Sequence, residues 1–181
     1  SGQLRDYHSW KPIENATIAF GQGVTVTPMQ LVTAVAAIAN NGILMKPRLV
    51  EAITDAHGKI IQTFAPQEVR QVISPETSQA MKVMMRAVTE EGGTGTWAVP
   101  EGYTVCGKTG TAQKLNAEGN YRNCEYNAVF VGFSPDQSPE LAVLVVVDAP
   151  QKHHYGGIVS APAFREIVRQ AFNYLDVAPI P

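Results

Sequence analysis

Gly102-Tyr-Thr-Val-Cys-Gly-Lys-Thr-Gly-Thr-Ala-Gln-Lys114 is the stretch whose reading decides the fold of this chain. Its first eight residues, Gly102 to Thr109, match the phosphate-loop pattern G-x-x-x-x-G-K-[ST] at every fixed position, and Leu144-Val-Val-Val-Asp148 has the form of an apolar strand ending in a magnesium-holding aspartate. The pattern carries chemistry only between a strand and a helix whose N-terminus faces phosphate. Here the loop interior is Tyr-Thr-Val-Cys, which prefers extended backbone. Ala-Val-Pro-Glu stands where the preceding strand should be, and Asn116, Gly119 and Asn120 interrupt the helix that should follow Lys108. The stretch therefore reads as one continuous strand, and a phosphate-loop NTPase remains the alternative enzyme reading.

Working outward, Tyr126 to Ser134 and Leu141 to Asp148 are two further strand candidates, separated by turn signals at Asn116–Asn120 and Pro135-Asp136. Connections this short join antiparallel strands, because a parallel crossover needs a dozen or more residues. Ala161 to Leu175 follows as a helix, with Phe164, Ile167, Val168, Ala171, Phe172 and Leu175 on one face. Upstream, Thr27-Pro28 and Ser74-Pro75 are helix starts. The first helix carries Leu31, Ala34, Val35 and Ile38 on its apolar face, the second Ala80, Met84, Ala87 and Val88. Asn41-Gly42 and Gly92-Gly93 end them. Between these helices, two strand-like runs, Arg48 to Thr54 and Lys59 to Phe64, flank the hairpin signal Asp55-Ala-His-Gly58. Ser1 to Asn15 shows no period and reads as loop. The fold class is α+β: an antiparallel sheet with helices packed on it.

Composition narrows the function. The 181 residues carry 14 Lys plus Arg against 16 Asp plus Glu and contain no basic run, so nucleic acid is not an expected partner. The longest apolar run, Leu141 to Val147, is too short to span a membrane, and no signal peptide is visible. Cys106 and Cys124 are too few for a disulfide scaffold and form no Cys-x-x-Cys pair. His153-His154 lacks the further ligands a metal ion needs, so the pair is placed at a surface or site edge, with no metal and no cofactor expected.

Within the strand, Lys108-Thr109-Gly110-Thr111 has an odd content for ordinary sheet. Glycine weakens a strand and marks close approach of a ligand or another backbone. Period-two alternation puts Thr109 and Thr111 on one side, where both hydroxyls can meet one carboxylate beside a lysine charge. The plain structural alternative is an edge strand blunted by lysine.

Lys108-Thr-Gly-Thr111 followed by Ala112-Gln-Lys114 resembles the third active-site motif of the penicillin-binding proteins. Ala16-Thr-Ile-Ala-Phe20-Gly-Gln-Gly23, Val26-Thr-Pro-Met-Gln-Leu31 and Ile38-Ala-Asn-Asn-Gly42 are similar to the stretch after that family's second motif. Tyr155-Gly-Gly157 and Ser160-Ala-Pro162 with Phe164 resemble the segment leading into its C-terminal helix. The likeness runs from Ser1 to Leu175 and is nearest to the class B, division-type peptidoglycan D,D-transpeptidases. The family's Ser-x-x-Lys nucleophile motif and its Ser-x-Asn motif are both absent from the sequence. Thr111-Ala-Gln-Lys114 has the first spacing, but an i, i+3 pair on a strand points to opposite faces. Residues 1–181 are therefore expected to be the C-terminal portion of a β-lactamase/transpeptidase-like domain, with both motifs and a membrane anchor upstream of Ser1.

The resemblance implies a function. A serine would attack the penultimate D-alanine carbonyl of a stem peptide, and the acyl group would pass to an amine of a second stem. Lys108 would face the Ser-x-Asn motif. Thr109 and Thr111 would hold the donor's terminal carboxylate, or that of a β-lactam, and the Thr111 N–H would be one oxyanion donor. Gly110 would admit substrate backbone, and His154, Tyr155 and Gly156 would lie at the site rim. In a flat strand Lys108 points away from Thr109, so this placement calls for twist or a bend. The implied partners are peptidoglycan stem peptides, β-lactam antibiotics, a membrane glycosyltransferase and divisome proteins, at the extracytoplasmic face of the bacterial cytoplasmic membrane. In that compartment a Cys106–Cys124 disulfide is conceivable. A second alternative is a non-catalytic penicillin-binding sensor or scaffold domain.

Overall fold

A computed structural model of the chain describes residue 2, residues 5–115 and residues 121–179, with backbone alone for 115 and 121–124. Its helices are α1 (Pro12–Ala19), α2 (Pro28–Ala39), α3 (Pro75–Ala87) and α4 (Gly156–Leu175). The strands are β1 (Ile43–Met45), β2 (Ala52–Thr54), β3 (Ile60–Thr63), β4 (Glu68–Gln71), β5 (Cys106–Leu115), β6 (Tyr121–Ser134) and β7 (Leu141–Asp148). The expected antiparallel meander is present as a three-stranded sheet in the order β5-β6-β7.

Alternation along these strands builds two cores. On one face Phe130 of β6 and Val143 and Val145 of β7 pack with Val105 against Ala161, Phe164, Val168 and Phe172 of α4. The rings of Phe130 and Phe164 meet edge to face at 4.8 Å, a geometry that adds about 0.5–1.5 kcal/mol to their burial. On the other face Val131 and Phe133 pack with Cys106, Val35 of α2 and Met85 of α3. The sheet is thus the middle of three layers, and β5 is an outer strand of it.

Capping chemistry sets the helix starts. Thr27 Oγ1 accepts from Gln30 N (3.2 Å) while Gln30 Oε1 accepts from Thr27 N (2.8 Å), a reciprocal pair that satisfies two free amides. Ser74 Oγ accepts from Thr77 N in the same way. The segment read as loop through Asn15 is helical from Pro12, because Pro12 takes the first helical position and Glu14 Oε2 accepts from Lys11 N (2.8 Å). The Asp55–Gly58 hairpin joins β2 and β3 as expected, Asp55 Oδ1 accepting from both His57 N and Lys59 N. The β1–β4 pair was not anticipated. It forms where Gly42, at φ +85°, passes so close to the Ile73 carbonyl that a Cβ would lie 2.1 Å from it.

Two apolar faces differ from expectation. In α3 the buried residues are Ser78, Lys82 and Met85, whereas Ala80, Met84 and Ala87 face solvent. Hydrogen bonds decide this: Ser78 Oγ donates to Ile38 O (2.6 Å) and Lys82 Nζ to Asn41 Oδ1 (3.2 Å), so polar side chains are satisfied inside. On α2 it is Ala37 rather than Ala34 that is buried beside Val35. Helix α4 starts five residues before the expected Ala161 and carries Pro162 inside it. Its buried row Gly156, Ser160, Phe164, Val168 and Phe172 follows a strict i+4 spacing, while Ile167 and Leu175 are exposed.

Candidate active site

Strand β5 begins at Cys106 rather than near Gly102. A turn closed by Tyr103 N donating to Pro100 O occupies the preceding residues, and the Thr104 hydroxyl is committed to Asp136 Oδ1 (2.6 Å). From Cys106 to Gln113 every residue of β5 pairs with β6, with Lys108 opposite Val131, Thr109 opposite Phe130, Gly110 opposite Val129 and Thr111 opposite Ala128. Lys108 and Thr109 are therefore in mid-strand. No helix N-terminus follows them, and the phosphate-loop geometry is not formed. Asp148, its suspected magnesium holder, instead ion-pairs with Lys114 Nζ at 2.7 Å.

Alternation divides the motif between the two faces of this outer strand. Thr109 and Thr111 lie on the α4 side. Lys108 lies on the α2/α3 side with Val131, as the flat-strand argument requires. The two sides communicate across the strand edge, where the exposed Lys108 Nζ donates to the carbonyl of its neighbour Thr109 (3.0 Å). A lysine ammonium and two hydroxyls so meet at one edge without a bulge between Cys106 and Gln113.

Helix α4 arrives at this edge end-on. Gly156 is its first residue and is buried. A Cβ there would lie 2.1 Å from Val129 O and 2.6 Å from Gly110 O, so only glycine lets the helix terminus sit on the paired strands. In this seat Gly156 N points at Thr111 Oγ1 (3.4 Å). Gly156, expected at the rim, thus sets its backbone N–H against the Thr111 hydroxyl. Ser160, one turn on, donates to Ala128 O (2.8 Å) and fixes the helix to β6.

Tyr155 is 58% exposed beside the motif. Its ring lies 4.4 Å from that of His154, which stacks on Tyr126 of β6 at 4.5 Å and 19°. The three rings form a wall next to Thr111. Sequence reading placed His154 and Tyr155 here but missed Tyr126, whose strand position opposite Gln113 is what brings it in.

The loop after α3 supplies another missed group. Thr94 Oγ1 lies 2.9 Å from Thr109 Oγ1, and a Cβ on Gly157 would stand 2.1 Å from Thr94 O. The motif hydroxyls therefore each have a partner outside β5.

Cys106 is fully buried, a free thiol whose Sγ donates to Lys82 O (3.3 Å). Burial, reinforced by the negative charge of Asp136, pushes its thiol up to about 11. Its cross-strand neighbour is Phe133, nine residues along β6 from Cys124. At about 3.4 Å per residue that is roughly 30 Å, against the 7 Å that a disulfide allows between Cα atoms. The two cysteines do not pair. Among the described residues no His, Cys, Asp or Glu group could hold a metal ion, and no helix is long and apolar enough to cross a membrane.

This geometry matches known proteins. Residues 1–169 match the penicillin binding protein transpeptidase domain family, and the chain belongs to that family. Within it, the chain is 37% identical over 180 residues to the probable peptidoglycan D,D-transpeptidase PenA of Neisseria gonorrhoeae, covering 99% of this chain and 29% of the relative. It is 44% identical over 170 residues to stage V sporulation protein D of Bacillus subtilis, covering 93% and 26%. Penicillin binding protein 3 of Mycobacterium tuberculosis, solved in complex with ampicillin, superposes with a TM-score of 0.86 at 30% identity, over 99% of this chain and 42% of that one. The chain spans less than a third of the length of the two curated relatives.

Proposed function

We propose that this chain is the C-terminal portion of the transpeptidase domain of a peptidoglycan D,D-transpeptidase, and that the serine nucleophile and the Ser-x-Asn motif stand upstream of Ser1. The observation that carries the reading is the edge of β5, where Lys108, Thr109, Gly110 and Thr111 present an ammonium and two same-side hydroxyls on a strand whose outer side pairs with no other strand among the described residues. Such an edge takes an extended peptide by strand addition, main chain giving affinity and side-chain contacts giving choice.

In the proposed reaction the donor stem peptide lies along β5 with its terminal carboxylate against the Thr109 and Thr111 hydroxyls. The serine attacks the penultimate D-alanine carbonyl, the developing oxyanion is met by the Thr111 N–H together with the N–H of the serine, and D-alanine leaves with a proton. An amine of a second stem then attacks the acyl-enzyme and restores the serine. Lys108 contributes positive charge to the Ser-x-Asn side of this proton traffic. A β-lactam carries the same carboxylate next to a strained amide, and it would be trapped at the acyl stage. The reading places the site at the extracytoplasmic face of the cytoplasmic membrane, with a membrane glycosyltransferase and divisome proteins as partners of the complete protein.

The test is acylation by a labelled penicillin, followed by mass spectrometry. In the complete protein Lys108→Ala slows adduct formation by more than tenfold while circular dichroism is unchanged. An unaltered rate contradicts the assignment.

A further inference from the structure

We infer that Thr94 is a positioning residue that sets the direction of the Thr109 hydroxyl and so tunes carboxylate recognition, an inference that rests on the transpeptidase reading. Thr94 belongs to the loop between α3 and the strand, and it was not part of the motif. Its Oγ1 is 2.9 Å from Thr109 Oγ1, so one hydroxyl donates to the other. The two directions of that bond are not equivalent toward an anion. When Thr109 donates to Thr94, its lone pairs face the incoming carboxylate and repel it. When Thr94 donates, the Thr109 proton is released toward the carboxylate, and the two bonds run head to tail and polarise each other. An anion at β5 therefore selects the direction in which Thr94 is the donor.

The loop is built to hold this distance. Gly95 N donates to Val88 O (2.8 Å) and Thr89 Oγ1 to Val105 O (2.6 Å), which fixes both ends of the bend to α3 and to the approach to β5. Gly157 closes the other side, because any Cβ there would stand 2.1 Å from Thr94 O and 3.4 Å from Thr109 Cγ2. The helix terminus that seats Thr111 through Gly156 thus also clamps Thr94 against Thr109. Thr94 itself is exposed, so its hydroxyl is not needed to satisfy a buried partner.

The experiment measures the second-order acylation constant of the complete protein with benzylpenicillin and with its methyl ester, for Thr94→Val, Thr94→Ser, Thr109→Val and the Thr94→Val/Thr109→Val double variant. Losing one hydrogen bond of a cooperative pair predicts a fall of about 5- to 10-fold for Thr94→Val with the carboxylate probe. Thr94→Ser, which keeps the hydroxyl, stays within about twofold of wild type. The ester, which has no anion, is affected by less than about twofold, and Thr94→Val adds nothing once Thr109 has lost its hydroxyl. A Thr94→Val variant equal to wild type with benzylpenicillin overturns the inference while leaving the transpeptidase reading intact. So does an equal loss with both probes or in the Thr109→Val background, which would make Thr94 a merely structural residue. Absence of any adduct in the wild-type protein overturns the transpeptidase reading itself.

Discussion

The seat of α4 on β5 gives the most demanding prediction. Gly156→Ala adds one methyl group, and that methyl would lie 2.1 Å from Val129 O and 2.6 Å from Gly110 O, whereas ordinary contact begins at 3.4 Å. Both opposing atoms are backbone carbonyls of paired strands, so neither can swing aside. The helix terminus must retreat by more than an ångström. Overpacking of this kind costs about 1–3 kcal/mol. For a domain of this size each kcal/mol lowers Tm by about 2–4 °C, so a fall of roughly 2–12 °C is expected in differential scanning calorimetry. The same retreat takes Gly156 N away from Thr111 Oγ1, already at 3.4 Å, and shifts the hydroxyl proposed to meet the donor carboxylate. Misplacement on that scale costs up to about 10²-fold in rate. Stopped-flow acylation of the complete protein by a chromogenic cephalosporin should therefore slow by one to two orders of magnitude. Val168→Ala is the control: it removes apolar packing three turns along the same helix, about 18 Å away, and should lower Tm comparably while leaving acylation within about twofold. A Gly156→Ala protein with wild-type Tm and wild-type acylation would refute the claim that this glycine seats the helix on the site.

Three further outcomes are expected. Asp136 is partly buried, which opposes its ionisation, but the Thr104 hydroxyl and the Arg86 guanidinium hold its carboxyl below the ordinary carboxylate value. A carboxylate depressed on folding contributes stability that is complete above its unfolded value near 3.9 and is lost as pH falls through the folded value. Asp136→Asn should thus destabilise by about 1–3 kcal/mol at pH 7 in urea titrations, with the gap to wild type closing below about pH 4. Cys106, buried with its thiol pushed up, should resist iodoacetamide in the native protein and react once urea unfolds it, read by peptide mapping. Phe164→Ala should cost about 3–5 kcal/mol, because it empties the ring site that meets Phe130 edge to face.

Local chemistry explains which parts of the fold were legible. The meander was readable because Leu141 to Asp148 and Tyr126 to Ser134 are strand formers separated by turns too short for a crossover, and the observed β7 has those same bounds. The α2 and α3 starts were readable because Thr27-Pro28 and Ser74-Pro75 put cap and proline side by side. Helix α1 offered only half of that signal, because Lys11 before Pro12 has no acceptor with which to cap, and the Glu14 contact to Lys11 N alone marks the start. The inward face of α3 was not legible, since Ser78 and Lys82 are inside only because Ile38 O and Asn41 Oδ1, some 40 residues away in sequence, receive them. The site divides in the same way. Period-two alternation correctly put Thr109 and Thr111 together and Lys108 opposite, and the backbone contact of Lys108 Nζ with Thr109 O shows how the two faces meet at an edge. Thr94 lies 15 residues before Thr109 and Tyr126 lies 15 residues after Thr111, and only loop closure and strand register bring them to the motif.

The central claim is that this chain supplies the carboxylate-binding edge of a transpeptidase and leaves the nucleophile to sequence before Ser1. Tandem mass spectrometry of the complete protein after incubation with benzylpenicillin tests it most directly. The account expects one covalent penicilloyl adduct, on a serine preceding Ser1, and none on any serine of this chain. An adduct on a serine between Ser1 and Ser160, or a complete protein that takes up no adduct at all, would contradict it.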